Sequence, residues 1–213
     1  MMAPLGWLVA SYLIGSFPTS WLAGRLLRGI DLREHGSRNL GATNVYRVLG
    51  WKYAIPVGAI DILKGAIPVW LFGGRAADIP LFSLLCGLAA VVGHVFSLFV
   101  GFKGGKGVAT AAGVVLAIAP WGLLAVTVVW VLLVRLTGYV SLASVTAAAL
   151  FPLAAWLLHG SRGVELVAFV ALAAFIVWKH RSNLRRLAAG TESRFGRGRA
   201  QPGGGGTRRE APS

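Results

Sequence analysis

The chain has 213 residues, of which 56% are hydrophobic and only 13% charged, about half the charged fraction of an ordinary soluble domain. Its apolar residues fall in long runs instead of one stripe per helix, which argues against a soluble fold and for an all-α, polytopic membrane bundle. The net charge of +14 sits at the ends of those runs, so it reads as membrane topology and attraction for anionic lipid or substrate, with no nucleic-acid partner expected. Cys86, the single cysteine, lies in an apolar run and rules out a disulfide framework or a thiolate metal cluster.

Seven apolar segments can be drawn, near residues 3–24, 53–72, 79–100, 107–119, 121–134, 138–158 and 164–178. No basic residue precedes the first, and it is longer than a signal-peptide core, so it is expected to be a retained span. The fourth and fifth are short and separated only by Pro120-Trp121-Gly122, and hydropathy alone does not say whether they are one span or two. Charge does. Seven spans divide the flanking Lys and Arg eighteen to two, whereas merging the fourth with the fifth divides them nine to eleven. The positive-inside rule therefore predicts seven transmembrane helices, with the N-terminus outside and the C-terminus cytoplasmic. Residues 1–190 are expected to form one transmembrane domain, and residues 191–213 a disordered Gly/Arg-rich cytoplasmic tail open to anionic headgroups. There is no internal repeat, which weighs mildly against the inverted-repeat transporters.

Polar residues interrupt the apolar chain at a few points. The strip from Gly36 to Arg47 offers amides, hydroxyls and guanidiniums among small residues. A helix beginning near Ala42 would put Asn44 and Arg47 on one face, with Ser37 and Asn39 in the loop before its N-terminus, where free N–H groups favour anions. Arg47 suits a phosphate through paired hydrogen bonds. The alternative is a capped helix whose arginines serve topology alone. Asp61 and Lys64 share a helix face inside the second apolar segment, either as functional intramembrane charges or as a mutually satisfied structural pair. His94 is a base, a ligand or a hydrogen-bonded structural histidine.

Lys103-Gly104-Gly105-Lys106-Gly107 lacks the glycine offsets and the hydroxyl of a Walker loop, but it puts two cations on a permissive backbone ahead of a helix. Setting topology is the competing reading. Thr137 to Ser144 and the pair His180 and Asn183 complete the set, with cations that suit a helix C-terminus as the alternative for the last. By the predicted topology the strip and the last three clusters are all cytoplasmic and converge on one pocket. No metal site is expected, because no Cys pair, His–Glu–His spacing or carboxylate cluster is available. A His-x4-Asp arrangement is also missing. The residues offer many donors and cations and few bases. That suits a substrate bringing its own negative charge and its own activation.

These segments together resemble the bacterial acyl-phosphate:glycerol-3-phosphate acyltransferase family of small integral membrane enzymes. The resemblance rests on Gly36 to Arg47, Asp61-Ile62-Leu63-Lys64-Gly65, Gly93-His94, and Phe102 to Thr110. Tyr139 to Ser144, Lys179 to Asn183 and Gly190-Thr191-Glu192 complete it, with coverage from about residue 6 to 196. It implies a seven-span enzyme of the bacterial inner membrane whose active site faces the cytoplasm. The implied reaction moves a fatty acyl group from acyl phosphate to the 1-hydroxyl of glycerol 3-phosphate, giving lysophosphatidic acid and phosphate without a cofactor. By that resemblance Ser37, Arg47, Lys106, Ser144, His180 and Asn183 hold the phosphate groups. Asn39, Asn44, Lys103 and His94 support them, and Ser141 competes with Ser144 for the same role. Membrane lipids are the remaining expected partners. Oligomeric state is not set by the sequence, and a monomer suffices. A transporter or binding protein for anionic phosphates is the alternative from another class, though the expected periplasmic loops are short and nearly uncharged.

Overall fold

A computed structural model describes residues 3–76, 78–79 and 81–196. It contains ten α-helices, α1 (Pro4–Ser16), α2 (Thr19–Arg28), α3 (Ala42–Leu49), α4 (Trp51–Phe72), α5 (Phe82–Val95), α6 (Val108–Ile118), α7 (Pro120–Thr137), α8 (Val140–His159), α9 (Gly163–Lys179) and α10 (Arg181–Ala188). No strand occurs among the described residues. The all-α class read from the apolar runs is the class observed. Four stretches are individually long and apolar enough to cross a bilayer, Trp51–Ala76, Phe82–Val100, α7 and α8, and a fifth arises if α9 and α10, bent by 55°, count together. The other apolar helices are shorter. α6 has 11 residues, a rise of about 16 Å against a hydrocarbon core of about 30 Å.

Hydropathy predicts one span over residues 3–24, but the segment is broken into α1 and α2. Pro18 lacks an N–H and restricts the residue before it, so α1 ends at Ser16 with Phe17 at φ −52°, ψ 118°. The break is stabilised from α4. Lys64 Nζ donates to the Phe17 carbonyl at 2.9 Å, and the Thr19 hydroxyl donates to Asp61 at 3.0 Å. Asp61 and Lys64 are themselves 2.8 Å apart and buried, so the two form a mutual ion pair.

The fourth and fifth segments are separate helices. Ala119 leaves helical geometry at φ −132°, ψ 65°, and Pro120 opens α7, where its missing N–H would have had no partner anyway. α6 packs chiefly on α4, and α7 on α8. Small residues let the backbones approach closely, as is common between membrane helices. At Gly65 and Gly113, α4 and α6 touch backbone to backbone. Val91, Val114, Phe151, Phe169 and Ile176 fill the core between α5, α6, α8 and α9.

Packing also runs past residue 190, where composition put the edge of the domain. Glu192 is buried and the Phe195 ring stacks on Tyr46, because a carboxylate among donors and an aromatic pair outweigh the glycine-rich local sequence. Residues 197–213, the greater part of the expected tail, lie outside the described residues.

Candidate active site

The polar segments meet around a cavity of about 420 Å³. Its walls carry Ser37 and Asn39 from the loop before α3, Arg47 from α3 and Lys106 from the loop before α6. Ser141 and Ser144 from the start of α8, and His180 and Asn183 from the α9–α10 corner, close it. Asp61 and His94 reach the same wall from α4 and α5.

Local geometry explains how the first loop is held. The Asp31 carboxylate receives the Arg33 side chain and backbone N–H, with Trp21 Nε1 at 3.2 Å. The Arg33 hydrogen bond, opposed by burial, holds the Asp31 carboxyl well below the usual carboxylate range. Asn44 then clamps the loop from α3. Its Oδ1 accepts from the Ser37 N–H at 2.7 Å, and its Nδ2 donates to the carbonyls of Leu32 and His35. Both N–H groups of Asn44 are therefore taken by backbone, so it braces Ser37.

Lys103 and Ser141 are set apart from Lys106 and Ser144. Lys103 is exposed and does not line the cavity, since Gly104 and Gly105 turn the chain inward against His94 and only Lys106 follows it. Ser141 donates its hydroxyl to Glu192 at 2.8 Å, whereas Ser144 accepts from Trp130 Nε1 at 3.1 Å and keeps its own hydrogen available.

The remaining cationic and amide groups form a chain of contacts. Lys106 Nζ donates to Asn183 Oδ1, and Asn183 Nδ2 donates to Glu192 at 2.7 Å. Arg186 Nε donates to the other Glu192 oxygen at 2.7 Å. Burial would raise the Glu192 carboxyl, but the hydrogen bonds from Asn183, Ser141 and Arg186 together keep it below its ordinary value. In the sequence Glu192 belongs to the Gly190-Thr191-Glu192 motif with no role attached to it. An acid in so basic a chain was the available signal. Trp130 and the residues after Glu192 carried none.

Burial, opposed by the Glu192 charge and aided by Arg186, Arg47 and Lys179, pushes the Lys106 ammonium down to about 8. Burial likewise lowers the Arg47 guanidinium, and Arg47 Nε is buried with no partner. His180 sits at the corner beyond the apolar helix, with Nδ1 at 2.8 Å from the Ile176 carbonyl. A carbonyl only accepts, so Nδ1 carries the hydrogen and Nε2 presents a lone pair. Burial and the Lys106 charge push His180 down to about 4, so it is neutral at pH 7. His94 Nδ1 is also without a partner, 3.8 Å from Asp61. Among the described residues, no three His, Cys, Asp or Glu side chains are grouped as metal ligands would be.

A narrow apolar slot of about 80 Å³ adjoins the cavity between α6, α7, α8 and α9. The two share Val108, Ala112, Leu123, Val126, Ser144 and Ala147, so the slot begins where the polar donors end. Phe151 and Phe169, edge to face with centroids 5.0 Å apart, lie toward its far end. A polar cavity thus opens onto an apolar slot.

Comparison with known proteins points the same way. A glycerol-3-phosphate acyltransferase of Trichlorobacter lovleyi is 49% identical over 195 residues, covering 92% of this chain and 99% of the relative. One of Chlorobaculum parvum is 44% identical over 231 residues, covering 93% of this chain and 99% of its own. The crystal structure of PlsY (YgiH), an integral membrane glycerol 3-phosphate acyltransferase in its glycerol 3-phosphate form, matches with a TM-score of 0.83 and 41% identity, covering 91% of this chain and 96% of that one. Its lysophosphatidic acid form matches with a TM-score of 0.80 and 40% identity. The family model described as glycerol-3-phosphate acyltransferase spans residues 5–190, and with nearly the whole chain so matched, this protein belongs to the glycerol-3-phosphate acyltransferase family.

Proposed function

We propose that this membrane acyltransferase takes its acyl group from acyl phosphate and delivers it to the 1-hydroxyl of glycerol 3-phosphate, releasing lysophosphatidic acid and inorganic phosphate. The observation that carries the reading is the cavity itself. It combines Arg47, Lys106, Ser144 and Asn183 with an apolar slot and offers no free carboxylate to act as a strong base. Acyl phosphate is a mixed anhydride with a good leaving group, so the site needs donors more than it needs an acid. Each donor aimed at the departing phosphate or the developing oxyanion contributes a few kcal/mol, about 3 for a well-placed one.

In this reading the hydroxyl oxygen attacks the acyl carbonyl and the carbonyl–phosphate bond breaks. The hydroxyl proton passes to a phosphate oxygen of the donor, and phosphate leaves. His180, neutral and with its Nε2 lone pair free, orients the hydroxyl. At about 4 it is a weaker base than the phosphate it competes with. Ser37, Arg47, Lys106, Ser144 and Asn183 hold the phosphates, Asn39 supports them, and the slot beyond Ser144 takes the acyl chain.

The same proposal includes seven crossings, an outside N-terminus and a cavity open to the cytoplasm of a bacterial inner membrane. The charge split supports it, as does the independence of α6 and α7. α6 is then a short crossing that requires local thinning of the bilayer.

Purified protein given glycerol 3-phosphate with palmitoyl phosphate, palmitoyl-CoA or palmitoyl acyl carrier protein tests the donor. Lysophosphatidic acid and phosphate from palmitoyl phosphate alone is the expected result. Product from a thioester alone would overturn the leaving-group argument.

A further inference from the structure

Residues 191–196 form a strap that runs from the end of α10 to α3 and the α7–α8 corner. Glu192 is anchored in the cavity wall. The Ser193 carbonyl accepts from Arg47 Nη2 at 3.2 Å. Arg194 Nε reaches the Tyr139 hydroxyl at 3.2 Å, with its guanidinium 5.1 Å from the centre of the Tyr139 ring. The Phe195 N–H donates to the Gly138 carbonyl at 2.7 Å, and the Phe195 ring stacks on Tyr46 with centroids 4.5 Å apart and planes 25° apart. Tyr46 precedes Arg47 on α3. The strap therefore grips this short helix beside Arg47 through the ring and at Arg47 through the Ser193 carbonyl.

We infer that Phe195 is a positioning residue. By stacking on Tyr46 and pinning the strap to Gly138, it holds the Ser193 carbonyl against Arg47 and so presents the guanidinium to the phosphate of glycerol 3-phosphate. This rests on the reading of the cavity proposed above. Arginine loses much rotamer freedom when ordered, and a strap that has fixed one edge beforehand reduces that loss at binding. The Nε of Arg47 remains buried without a partner, a donor left for an incoming anion. Arg47 lines the polar cavity but not the apolar slot, whereas Ser144 lines both. The substrate governed by the strap is therefore the one with no acyl chain.

The test is steady-state kinetics with palmitoyl phosphate and glycerol 3-phosphate. Phe195→Ala is expected to raise KM for glycerol 3-phosphate roughly tenfold, the change for a mid-range coupling between contacting residues, leaving kcat and KM for palmitoyl phosphate unchanged. Phe195→Tyr keeps the ring and restores the wild-type KM. Tyr46→Leu removes the other half of the stack and gives the same rise, which serves where Phe195→Ala lowers the melting temperature. In an Arg47→Ala background, Phe195→Ala adds nothing further. An unchanged KM in folded Phe195→Ala, or effects that multiply with Arg47→Ala, would overturn the positioning role. If Arg47→Ala itself left KM for glycerol 3-phosphate unaltered, the cavity reading would fail, whatever Phe195 did.

Discussion

Gly65→Ala should disable the enzyme without touching any residue of the cavity. Gly65 lies one turn beyond Asp61 on α4 and faces the first turn of α6, where a Cβ would sit 2.0 Å from the Thr110 carbonyl oxygen. That oxygen belongs to helix backbone and has no rotamer to change. Ordinary contact begins at 3.4 Å, so α4 and α6 must part by about 1.4 Å. Lys106 leads directly into α6 and Asp61 belongs to α4, and both line the cavity. A misplacement near 1 Å at a reacting centre is worth roughly a hundredfold in rate. We expect kcat/KM to fall by about that factor in phosphate release from palmitoyl phosphate. Gly113→Ala, whose Cβ would meet the Ile62 carbonyl at 1.8 Å, should behave alike. Gly74→Ala, which meets nothing within 4 Å, should be silent. A Gly65→Ala protein that keeps its melting temperature and most of its turnover would refute the idea that this helix contact sets the site.

Four other outcomes are expected. With Lys106 pushed down to about 8 by burial, activity should decline above that pH, and Lys106→Arg should move the decline upward. Thermal stability should move the other way over the same range. The folded pKa lies below the unfolded value of 10.5, so the unfolded chain holds more protons between about 8 and 10.5 and rising pH favours the folded state there. Asp61→Asn should leave Lys64 buried without its counter-charge and destabilise the protein by roughly 3–5 kcal/mol, with Asp61→Asn/Lys64→Met recovering much of that loss; equal melting temperatures for the single and double variants would argue against the pairing. Phe151→Ala should enlarge the apolar slot and shift the ratio of kcat/KM toward longer acyl phosphates, and an unchanged ratio would mean the chain runs elsewhere.

Much of this was legible in the sequence because hydropathy and charge act over long windows. The helical class came from the length of the apolar runs. The gathering of Ser37, Arg47, Lys106, Ser144, His180 and Asn183 came from placing polar clusters on one side of a topology. What escaped was decided by single contacts. Pro18 could have marked the break in the first segment, but whether a membrane helix bends or breaks at proline depends on which neighbours satisfy the polar groups at the break, and here Lys64 from α4 donates to the Phe17 carbonyl. Asn44 reads as a ligand because its amide is as suitable for phosphate as for backbone, and only the path of residues 32–37 settles which it meets. Lys103 and Lys106 are equivalent by composition. The inward turn at Gly104 and Gly105 separates them. Glu192 lies beside glycine-rich sequence that says tail, while its donors come from α8 and α10, contacts no local window contains.

The buried cations fall into two kinds, and the difference bears on catalysis. Lys64 is satisfied, since Asp61 neutralises it and the Phe17 carbonyl takes a further N–H. Nothing is gained by offering it an anion. Arg47 and Lys106 are not satisfied to that degree. Arg47 touches one backbone carbonyl and leaves Nε bare, and Lys106 faces an amide oxygen while burial lowers its affinity for its own proton. Glu192 offsets them only in part, because Arg186 pairs with the same carboxylate and Ser141 and Asn183 occupy its other oxygen. The free protein thus holds two under-compensated positive charges on the cavity wall. A phosphate entering there relieves a desolvation penalty that folding has already imposed, so its attraction needs little rearrangement of the site. The same reasoning explains the scarcity of bases. A free carboxylate beside Arg47 and Lys106 would occupy the place of the substrate, and the proton is better taken by the anion that the site is built to admit.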